Sequence, residues 1–312
     1  MAATLQTSAA EGRAAPPGRP APPLRERLAG FWFVLPFLVF FSFFLLWPVL
    51  SGIWTSFFNA SLASEESRFL GLDNWREMFD DPAVWDSLWN TMVFTLMSTP
   101  LLVLTALAMA LLANRHGWFG WLLRFAYFAP FVLPVAVVTL IWVWMYQPGF
   151  GLINSFLTGL GLSEVGWLND ASVAMVSVVI TTTWWTVGFN FLLYLAALQA
   201  IPQHLYESAA VDGASPRQQL TRITLPMLRR TTGLIVVLQL VASLKIFDQI
   251  YLMLNGGPNF ATRPIIQYIY ETGFTSFRIG YASAISYMFL AIIVVVSVVQ
   301  FRLFSTSEEA TR

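Results

Sequence analysis

"TMVFTLMSTPLLVLTALAMALLA", residues 91–113, is a run of 23 residues without a single Asp, Glu, Lys or Arg. A helix that crosses a bilayer core of about 30 Å needs about 20 mostly apolar residues, because each residue advances about 1.5 Å. The run lacks the strict alternation of apolar and polar residues that a barrel strand would show. It therefore predicts a membrane-spanning helix, and an all-α integral membrane protein is the expected fold class.

Five further stretches of this kind lie on either side of the first. They cover residues 31–57, 125–146, 171–200, 231–254 and 279–304. Only Lys245, Asp248 and Arg302 interrupt them. The chain is 57% hydrophobic and 11% charged, whereas a soluble domain carries about 25% charged residues. The sequence therefore predicts six transmembrane helices within a domain of residues 29–305.

The distribution of basic residues predicts the orientation, since Lys and Arg accumulate on the cytoplasmic side of a membrane. Basic residues cluster in the N-terminal tail, the second–third and fourth–fifth connections and the C-terminal end, at Arg13, Arg19, Arg25, Arg27, Arg115, Arg124, Arg217, Arg222, Arg229, Arg230, Arg302 and Arg312. The first connection instead collects acidic residues, at Glu65, Glu66, Asp73, Glu77, Asp80, Asp81 and Asp86. Both termini are therefore expected in the cytoplasm.

The ends of the chain and the first external connection are expected to lie outside the spans. Residues 1–28 are rich in Ala, Pro and Arg and should form a disordered cytoplasmic tail, and residues 306–312 a short C-terminal one. Trp75, Trp85 and Trp89 in the external connection favour a short amphipathic helix at the membrane interface.

Several functional classes are excluded by what the sequence lacks. Equal numbers of acidic and basic residues, 17 each, give no basic excess for nucleic acid, and zero cysteines exclude thiolate metal sites and cysteine nucleophiles. The single lysine, Lys245, is not part of a G-x-x-x-x-G-K-[ST] phosphate loop, so the chain is not an ATPase. His116 and His204 are expected to be solvated. No catalytic residue, metal site or cofactor is expected, and the chain should not be an enzyme.

The fourth–fifth connection, residues 201–230, is the least membrane-like internal segment. Its pattern predicts a first short helix that ends at Asp212-Gly213. A second short helix would follow, with Ser215 as N-cap, Pro216 at its first position and Pro226 as a stop. The spacing alone leaves two alternatives open, a solvated connector or a docking element.

This connection resembles the EAA loop of binding-protein-dependent ABC importer permeases. The similarity runs through Glu207, Ser208 and Ala209, then Gly213, then Ile223 to Pro226, and departs from the pattern only at Ser208, where the first Ala is expected. Residues 69–75, "FLGLDNW", and 247–270, "FDQIYLMLNGGPNFATRPIIQYIY", resemble the carbohydrate importers of the maltose and glycerol-phosphate type, in particular their MalF-like half.

The resemblance implies a type I permease fold and a set of partners. It implies a homologous second permease, an extracytoplasmic solute-binding protein and a separate ATP-binding cassette ATPase dimer that binds ATP and Mg²⁺. The chain itself would be a multi-pass protein of a bacterial plasma (inner) membrane. The coupling helix would seat in the ATPase, with Glu207 paired to a basic group, Ala209 and Ala210 permitting close approach and Gly213 supplying the bend. The implied coupling residues are Glu207, Ser208, Ala209, Ala210, Asp212, Gly213, Ala214, Ile223, Leu225 and Pro226.

The fourth and fifth spans contain the polar and aromatic residues that a sugar would need. The sequence offers residues 181–190, "TTTWWTVGFN", together with Gln239 and Ser243. The resemblance points to Thr182, Thr186, Phe189, Gln239, Ala242, Ser243 and Ile246 as pathway residues. The polar stretch adds Asn190, and Tyr287 in the sixth span is a weaker candidate. Thr and Ser also serve as small residues where membrane helices pack, so packing remains the alternative.

The fifth predicted span contains a pair of opposite charges. Lys245 and Asp248 lie three residues apart, so on one helix they would share a face and neutralise each other. Both a structural and a pathway role remain open for them. For the whole chain, the predicted function is the permease subunit of an ABC importer for a sugar or oligosaccharide. The alternative is a self-sufficient secondary transporter or channel for a small polar solute.

Overall fold

A computed structural model describes residues 24–64, 67–115 and 117–309 of the chain. Residues 1–23 and 310–312, and with them most of the predicted N-terminal tail and the end of the C-terminal one, lie outside the described residues, as do Glu65, Glu66 and His116. Within these ranges the chain is helical, and the only β-pairing is one isolated bridge between Phe58 and Phe69. The all-α fold class is therefore confirmed.

The described chain divides into two compact units at the Gly52–Ile53 bond. In the first unit, α1 (Leu24–Phe41) continues through a π-helical segment (Ser42–Leu46) into α2 (Trp47–Thr55), whose last three residues belong to the second unit. α1 thus begins inside the tail that was predicted for residues 1–28. The spanning stretch Phe31–Thr55 buries none of its side chains within the chain.

The second unit contains the remaining helices. They are α3 (Asp73–Asp80), α4 (Pro82–Ala113), α5 (Trp118–Phe128), α6 (Val135–Met145), α7 (Leu152–Gly159), α8 (Ala171–Gln199), α9 (Gln203–Val211), α10 (Pro216–Gln219), α11 (Leu225–Leu244), α12 (Asp248–Leu254), α13 (Ile265–Tyr270) and α14 (Ile279–Glu309). Helix α4 begins nine residues before the predicted span, because Asp81 caps its N-terminus and Pro82 occupies the first turn. Trp85 and Trp89 therefore belong to α4, and only Trp75 lies on the short external helix α3.

Five helical stretches in the described residues are long and apolar enough to cross a membrane, and a sixth crossing exists if one bent pair counts as a single span. The bent pair is the third predicted span. Residues 118–132 and Val135–Met145 meet at 101° instead of forming the single helix predicted over residues 125–146.

Two prolines explain the bend. Pro130 and Pro134 have no N–H to donate, and Pro134 forces the preceding Leu133 into an extended conformation, with ψ of 139°. The Trp185 indole N–H donates to the carbonyl of Leu133 at 3.1 Å, so the break is stabilised by α8. Gly188 permits the close approach, because a Cβ there would lie 2.8 Å from the carbonyl oxygen of Tyr127.

The prolines near the starts of α2 and α11 are accommodated differently. Each of these helices is preceded by a π-helical turn, Ser42–Leu46 before Pro48 and Leu220–Thr224 before Pro226. A proline cannot donate to the carbonyl four residues earlier, and its ring presses against that carbonyl. The wider π turn relieves both problems, so the helices continue without a break.

Helices α4, α8 and α11 form the centre of the second unit. Their apolar core combines the small residues Ala106 and Ala110 of α4 with the large buried rings of Phe191 and Tyr194 of α8. Ile235 contributes from α11. Small residues let membrane helices approach closely, and this is the packing that membrane helices favour. The same three helices hold most of the predicted pathway residues.

Candidate functional site

The predicted coupling loop begins with helix α9, Gln203–Val211, and the turn after it. The N–H of Ala214 donates to the carbonyl of Ala209 at 2.8 Å, and the N–H of Gly213 donates to that of Ala210 at 3.0 Å. This pair of bonds defines a Schellman motif, in which Gly213 takes the left-handed position with φ of +80°. The turn predicted at Asp212-Gly213 is therefore present.

The second half of the loop is the beginning of a long helix. Ser215 and Gln218 form a reciprocal capping box, and Pro216 occupies the first turn, as predicted. The prediction that Pro226 stops this helix is wrong, because the π turn at Leu220–Thr224 absorbs the proline and the helix runs on to Leu244. The loop is thus one short helix, a glycine turn and the first turns of α11.

The loop exposes most of the residues that the resemblance selects. Helix α9 contains no buried residue. Among the predicted coupling residues, those that are half-buried are Ala209, Ala214 and Ile223, and those that are exposed are Glu207, Ser208, Ala210, Asp212, Gly213, Leu225 and Pro226. Val211 is 89% exposed although it is apolar. One side-chain bond, between the hydroxyls of Tyr206 and Thr224 at 2.9 Å, links α9 to the next helix.

Three predicted pathway residues form a buried polar network between helices. The Asn190 amide donates to Gln239 Oε1 at 2.8 Å, and the Gln239 amide donates to Ser243 Oγ at 3.0 Å. Ser243 in turn lies 3.0 Å from the hydroxyl of Ser98 on α4. All four side chains are at most 8% exposed, and Asn190 Oδ1 has no partner. In this conformation the network joins α4, α8 and α11 through their cores.

A second polar contact connects α8 to α12. The Thr182 hydroxyl contacts Gln249 Oε1 at 2.8 Å, and both residues are buried. Thr186, one turn further along α8, is half-buried and donates to the carbonyl of Thr182. Sequence reasoning missed Gln249 and Ser98, although both are polar residues inside or beside predicted spans.

The remaining pathway candidates lie at the surface of this chain. Phe189 is 43% exposed, Ala242 is exposed and Ile246 is half-buried. The ring of Phe189 stacks on that of Phe131 with 5.8 Å between centroids. Phe131 was not predicted, because only the bend at Pro130 and Pro134 turns it toward α8. The candidates thus divide into a buried polar set and a surface set with an aromatic pair.

Lys245 and Asp248 do not share a helix face. Lys245 follows the last residue of α11, and Asp248 begins α12, with Phe247 in a non-helical conformation between them, at φ of −152° and ψ of −69°. Within the described residues no ion pair joins the two side chains, both of which are exposed. Phe247 packs against Tyr251 and Tyr270, at 5.4 and 5.5 Å between ring centroids, which favours the break. Tyr287 on α14 is half-buried and bonds to the backbone of Ile53.

A cluster on the predicted outer side holds the start of α4 against α13 and α14. Asp81 Oδ2 accepts hydrogen bonds from the hydroxyls of Tyr268 and Tyr281, and its Oδ1 accepts from the N–H of Ala83. Burial alone would raise the pKa of Asp81, but these hydrogen bonds and the nearby Arg263 lower it below its ordinary value of 3.8. Burial and the contact with Asp81 raise the pKa of Tyr268 to about 12.

No group of three or more His, Cys, Asp or Glu side chains that could hold a metal ion occurs in the described part of the chain. The architecture is a set of membrane helices, and the coupling loop is exposed at their predicted cytoplasmic end. The family described as "binding-protein-dependent transport system inner membrane component" matches residues 102–305. The chain belongs to this family. The permease is accordingly a multi-pass membrane transport subunit and not an enzyme.

Relatives of this permease extend the similarity beyond the family match. It is 33% identical over 286 residues to the sulfoquinovosyl glycerol transport system permease protein SmoG of Agrobacterium fabrum, covering 91% of this chain and 93% of the relative. It is 32% identical over 282 residues to the sn-glycerol-3-phosphate transport system permease protein UgpA of Escherichia coli O157:H7, covering 90% and 95%. It is 35% identical over 241 residues to the trehalose/maltose transport system permease protein MalF of Thermococcus litoralis, covering 77% and 82%.

A solved structure has the same fold. One chain in the crystal structure of a bacterial ABC transporter involved in the import of the acidic polysaccharide alginate superposes with a TM-score of 0.78. The sequences are 24% identical, and the match covers 91% of this permease and 97% of that chain. The type I permease fold implied by the sequence is therefore confirmed.

Proposed function

We propose that this permease is one of two homologous membrane subunits of an ATP-driven importer for a sugar or sugar derivative. In this assembly a separate ATPase dimer drives transport, an external binding protein delivers the solute, and both termini of this chain are cytoplasmic. The observation that carries the proposal is the exposed coupling loop. Its helix α9 is closed at the C-terminus by the Schellman motif, yet it buries no residue in this chain and ends at an apolar residue, Val211, that is 89% exposed. A second protein would cover it.

The loop is suited to transmitting a movement. ATP-driven closure of the ATPase would displace α9, and the bond between Tyr206 and Thr224 ties α9 to the start of the long helix. That helix reaches Gln239 and Ser243, which are bonded to α8 and α4. A displacement of the loop would thus move the helices of the proposed pathway as a rigid body, which is a common mode of alternating access.

The substrate class follows from the relatives and from the surface residues. Relatives from three transport systems are named for sulfoquinovosyl glycerol, glycerol 3-phosphate and trehalose or maltose, all of which carry more than one hydroxyl group. On this chain the half-buried Thr186 and the stacked rings of Phe131 and Phe189 lie at the surface. A hydroxyl beside an aromatic face can bind the polar edge and the C–H face of a sugar, with the second permease completing the pathway.

A substitution at Gly213 tests the coupling. A Cβ at Gly213 meets no atom within 4 Å, so the strain of a Trp there comes from the positive φ, and its large ring would block a docking surface. Gly117 is a matched control, because it lies in another predicted cytoplasmic connection, also has positive φ and also has no atom within 4 Å of an added Cβ. We expect Gly213→Trp to abolish co-purification of the ATPase with the tagged permease, and Gly117→Trp to leave it unchanged.

Two results would contradict the proposal. One is retention of the ATPase by Gly213→Trp at the level of the control. The other is solute transport by this chain alone in liposomes, which would instead support a self-sufficient transporter or channel. Both are measured with the full-length chain, extracted from its own membrane through an affinity tag.

A further inference from the structure

A cavity of about 320 Å³ opens at the predicted outer side of the second unit. Its walls are the end of α6, the segment before α8 and the second half of α12, and we call it the outer cavity. It is separate from the proposed pathway residues, none of which lines it. From Asp248 to Asn255 the chain advances roughly 10 Å, so the outer cavity lies about that far outside the break between α11 and α12.

The polar side chains of the outer cavity have few partners in the chain. Gln147, at the end of α6, and Asn169, before α8, both line it. Among the described residues neither carboxamide takes part in a hydrogen bond through its side chain. Asn255 lines the opposite wall, and its Oδ1 has only a long contact of 3.5 Å with Gln267. Each carboxamide offers both a donor and an acceptor, which is the combination that neighbouring sugar hydroxyls require.

An aromatic residue and apolar residues complete the lining. Tyr251 lies in the wall formed by α12 and is held by ring contacts with Phe247 and Tyr270, at 5.4 and 5.6 Å between centroids. Its position is therefore fixed before any ligand arrives. Val143 and Leu252 supply apolar surface beside it. A fixed aromatic ring, apolar walls and a few convergent polar groups are the usual features of a small-molecule site.

The volume limits what the outer cavity can hold. Ligand pockets span about 300–1,000 Å³, so 320 Å³ is near the lower end of that range. One pyranose ring fits this space, and an oligosaccharide would extend from it. The lining also contains no Asp, Glu, Lys or Arg side chain, so the site favours a neutral ring over a charged group.

We propose that the outer cavity is a second solute site, which binds one neutral pyranose ring through Gln147, Asn169 and Asn255 against Tyr251, before the solute reaches the pathway. The proposal rests on the proposed function only in the direction of transport and in the substrate class. Binding itself does not require ATP or a functional pathway. The outer site would raise the local concentration of solute at the entrance.

The absence of cysteine from the chain permits a direct measurement of binding. Leu252 lines the cavity and is 49% exposed, so Leu252→Cys can be modified by a water-soluble thiol reagent. Leu160, which is 62% exposed on the same predicted side and outside the cavity, gives the control Leu160→Cys. The probe is trehalose, a neutral sugar built of two pyranose rings, and mannitol, an open-chain polyol, is the control solute. The sample is the complex purified through this chain, without ATP.

We expect trehalose to slow modification of Leu252→Cys about sixfold at five times its Kd, since the unoccupied fraction falls as 1/(1 + [L]/Kd). Mannitol should have no effect, and the rate at Leu160→Cys should not change. Adding Gln147→Met and Asn169→Leu to Leu252→Cys should abolish the protection. Equal modification rates with and without trehalose, or protection that survives both substitutions, would overturn the proposal.

Failure of the outer site can be distinguished from failure of the proposed function. Thr186→Leu, on the proposed pathway, should lower uptake and leave protection of Leu252→Cys intact. Gln147→Met should raise the KM for uptake and leave the maximal rate nearly unchanged. If protection occurs but the complex does not import trehalose in the presence of ATP, the outer site stands and the proposed substrate class fails.

Discussion

Substitutions at the buried hydrogen bond between Asn190 and Gln239 can show whether these side chains hold the helices together or bind the solute. Gln239 makes two side-chain hydrogen bonds in the network, to Asn190 at 2.8 Å and to Ser243 at 3.0 Å. Gln239→Leu would leave the Asn190 amide, in a side chain that is 1% exposed, without its partner. A buried polar group left unpaired costs about 1–3 kcal/mol, and hydrogen bonds between membrane helices contribute up to about 1.7 kcal/mol.

This cost should appear as a loss of thermal stability. At about 2 °C per kcal/mol, Gln239→Leu and Asn190→Leu should each lower the Tm of the detergent-solubilised permease by roughly 2–6 °C. Replacing both partners removes the unpaired groups together, so the double variant should lose less than the sum of the two single losses. We expect a coupling energy of at least about 1 kcal/mol. Thr186→Leu is the control, because Thr186 lies outside the network and should lower uptake without a comparable change in Tm.

Two outcomes would refute this reasoning. If Gln239→Leu lowers uptake while Tm stays unchanged, Gln239 acts on the solute and not on packing. If the losses of the two single variants simply add in the double variant, the bond between the side chains contributes nothing to stability. The measurements are Tm by intrinsic fluorescence and uptake by the reconstituted complex.

Two further predictions concern helix contacts outside this network. Gly188→Ala would place a Cβ 2.8 Å from the Tyr127 carbonyl oxygen, so overpacking should cost about 1–3 kcal/mol and lower Tm. Gly159→Ala is the control and should not lower Tm, because a Cβ there meets no atom within 4 Å. Equal Tm values for the two variants would contradict the close contact. Asp81→Asn keeps the helix cap but removes the charge. The folded-state pKa of Asp81 lies below its ordinary value of 3.8. The ionised carboxylate therefore stabilises the fold above that pH, and this stabilisation is lost as pH falls through the folded-state pKa. The Tm difference between the original chain and Asp81→Asn should accordingly shrink below about pH 3.8. A difference that stays constant from pH 7 to pH 3 would contradict this.

Much of the fold was predictable because hydrophobic length and capping are local signals. The long apolar stretches gave the crossings, and the sequence Asp212-Gly213-Ala214-Ser215-Pro216 contains both the helix end and the next helix start, each of which the structure confirms. These features depend on residues that are close in sequence. The family followed from the same loop, because its spacing is specific.

The features that sequence reasoning missed depend on contacts between distant residues. Pro226 and Pro134 each follow a leucine in the sequence, yet Pro226 is absorbed by a π turn, whereas Pro134 lies at a break between two helices, which the Trp185 indole stabilises. Periodicity placed Lys245 and Asp248 on one face, but ring packing of Phe247 breaks the helix between them. The role of the pathway residues in transport remains a prediction. Their division into a buried and a surface set depends on helix packing, which only the structure shows.

The continuous helix from Pro216 to Leu244 has a mechanical consequence. Its 29 residues extend over roughly 43 Å, and the N–H of Leu225 closes the widened turn onto the carbonyl of Leu220, so the rod has no hinge along its length. A tilt of about 10° around its midpoint would shift the two ends by roughly 4 Å in opposite directions. A displacement of the cytoplasmic end toward one side of the molecule would therefore move the far end toward the opposite side, with the midpoint of the helix as the pivot.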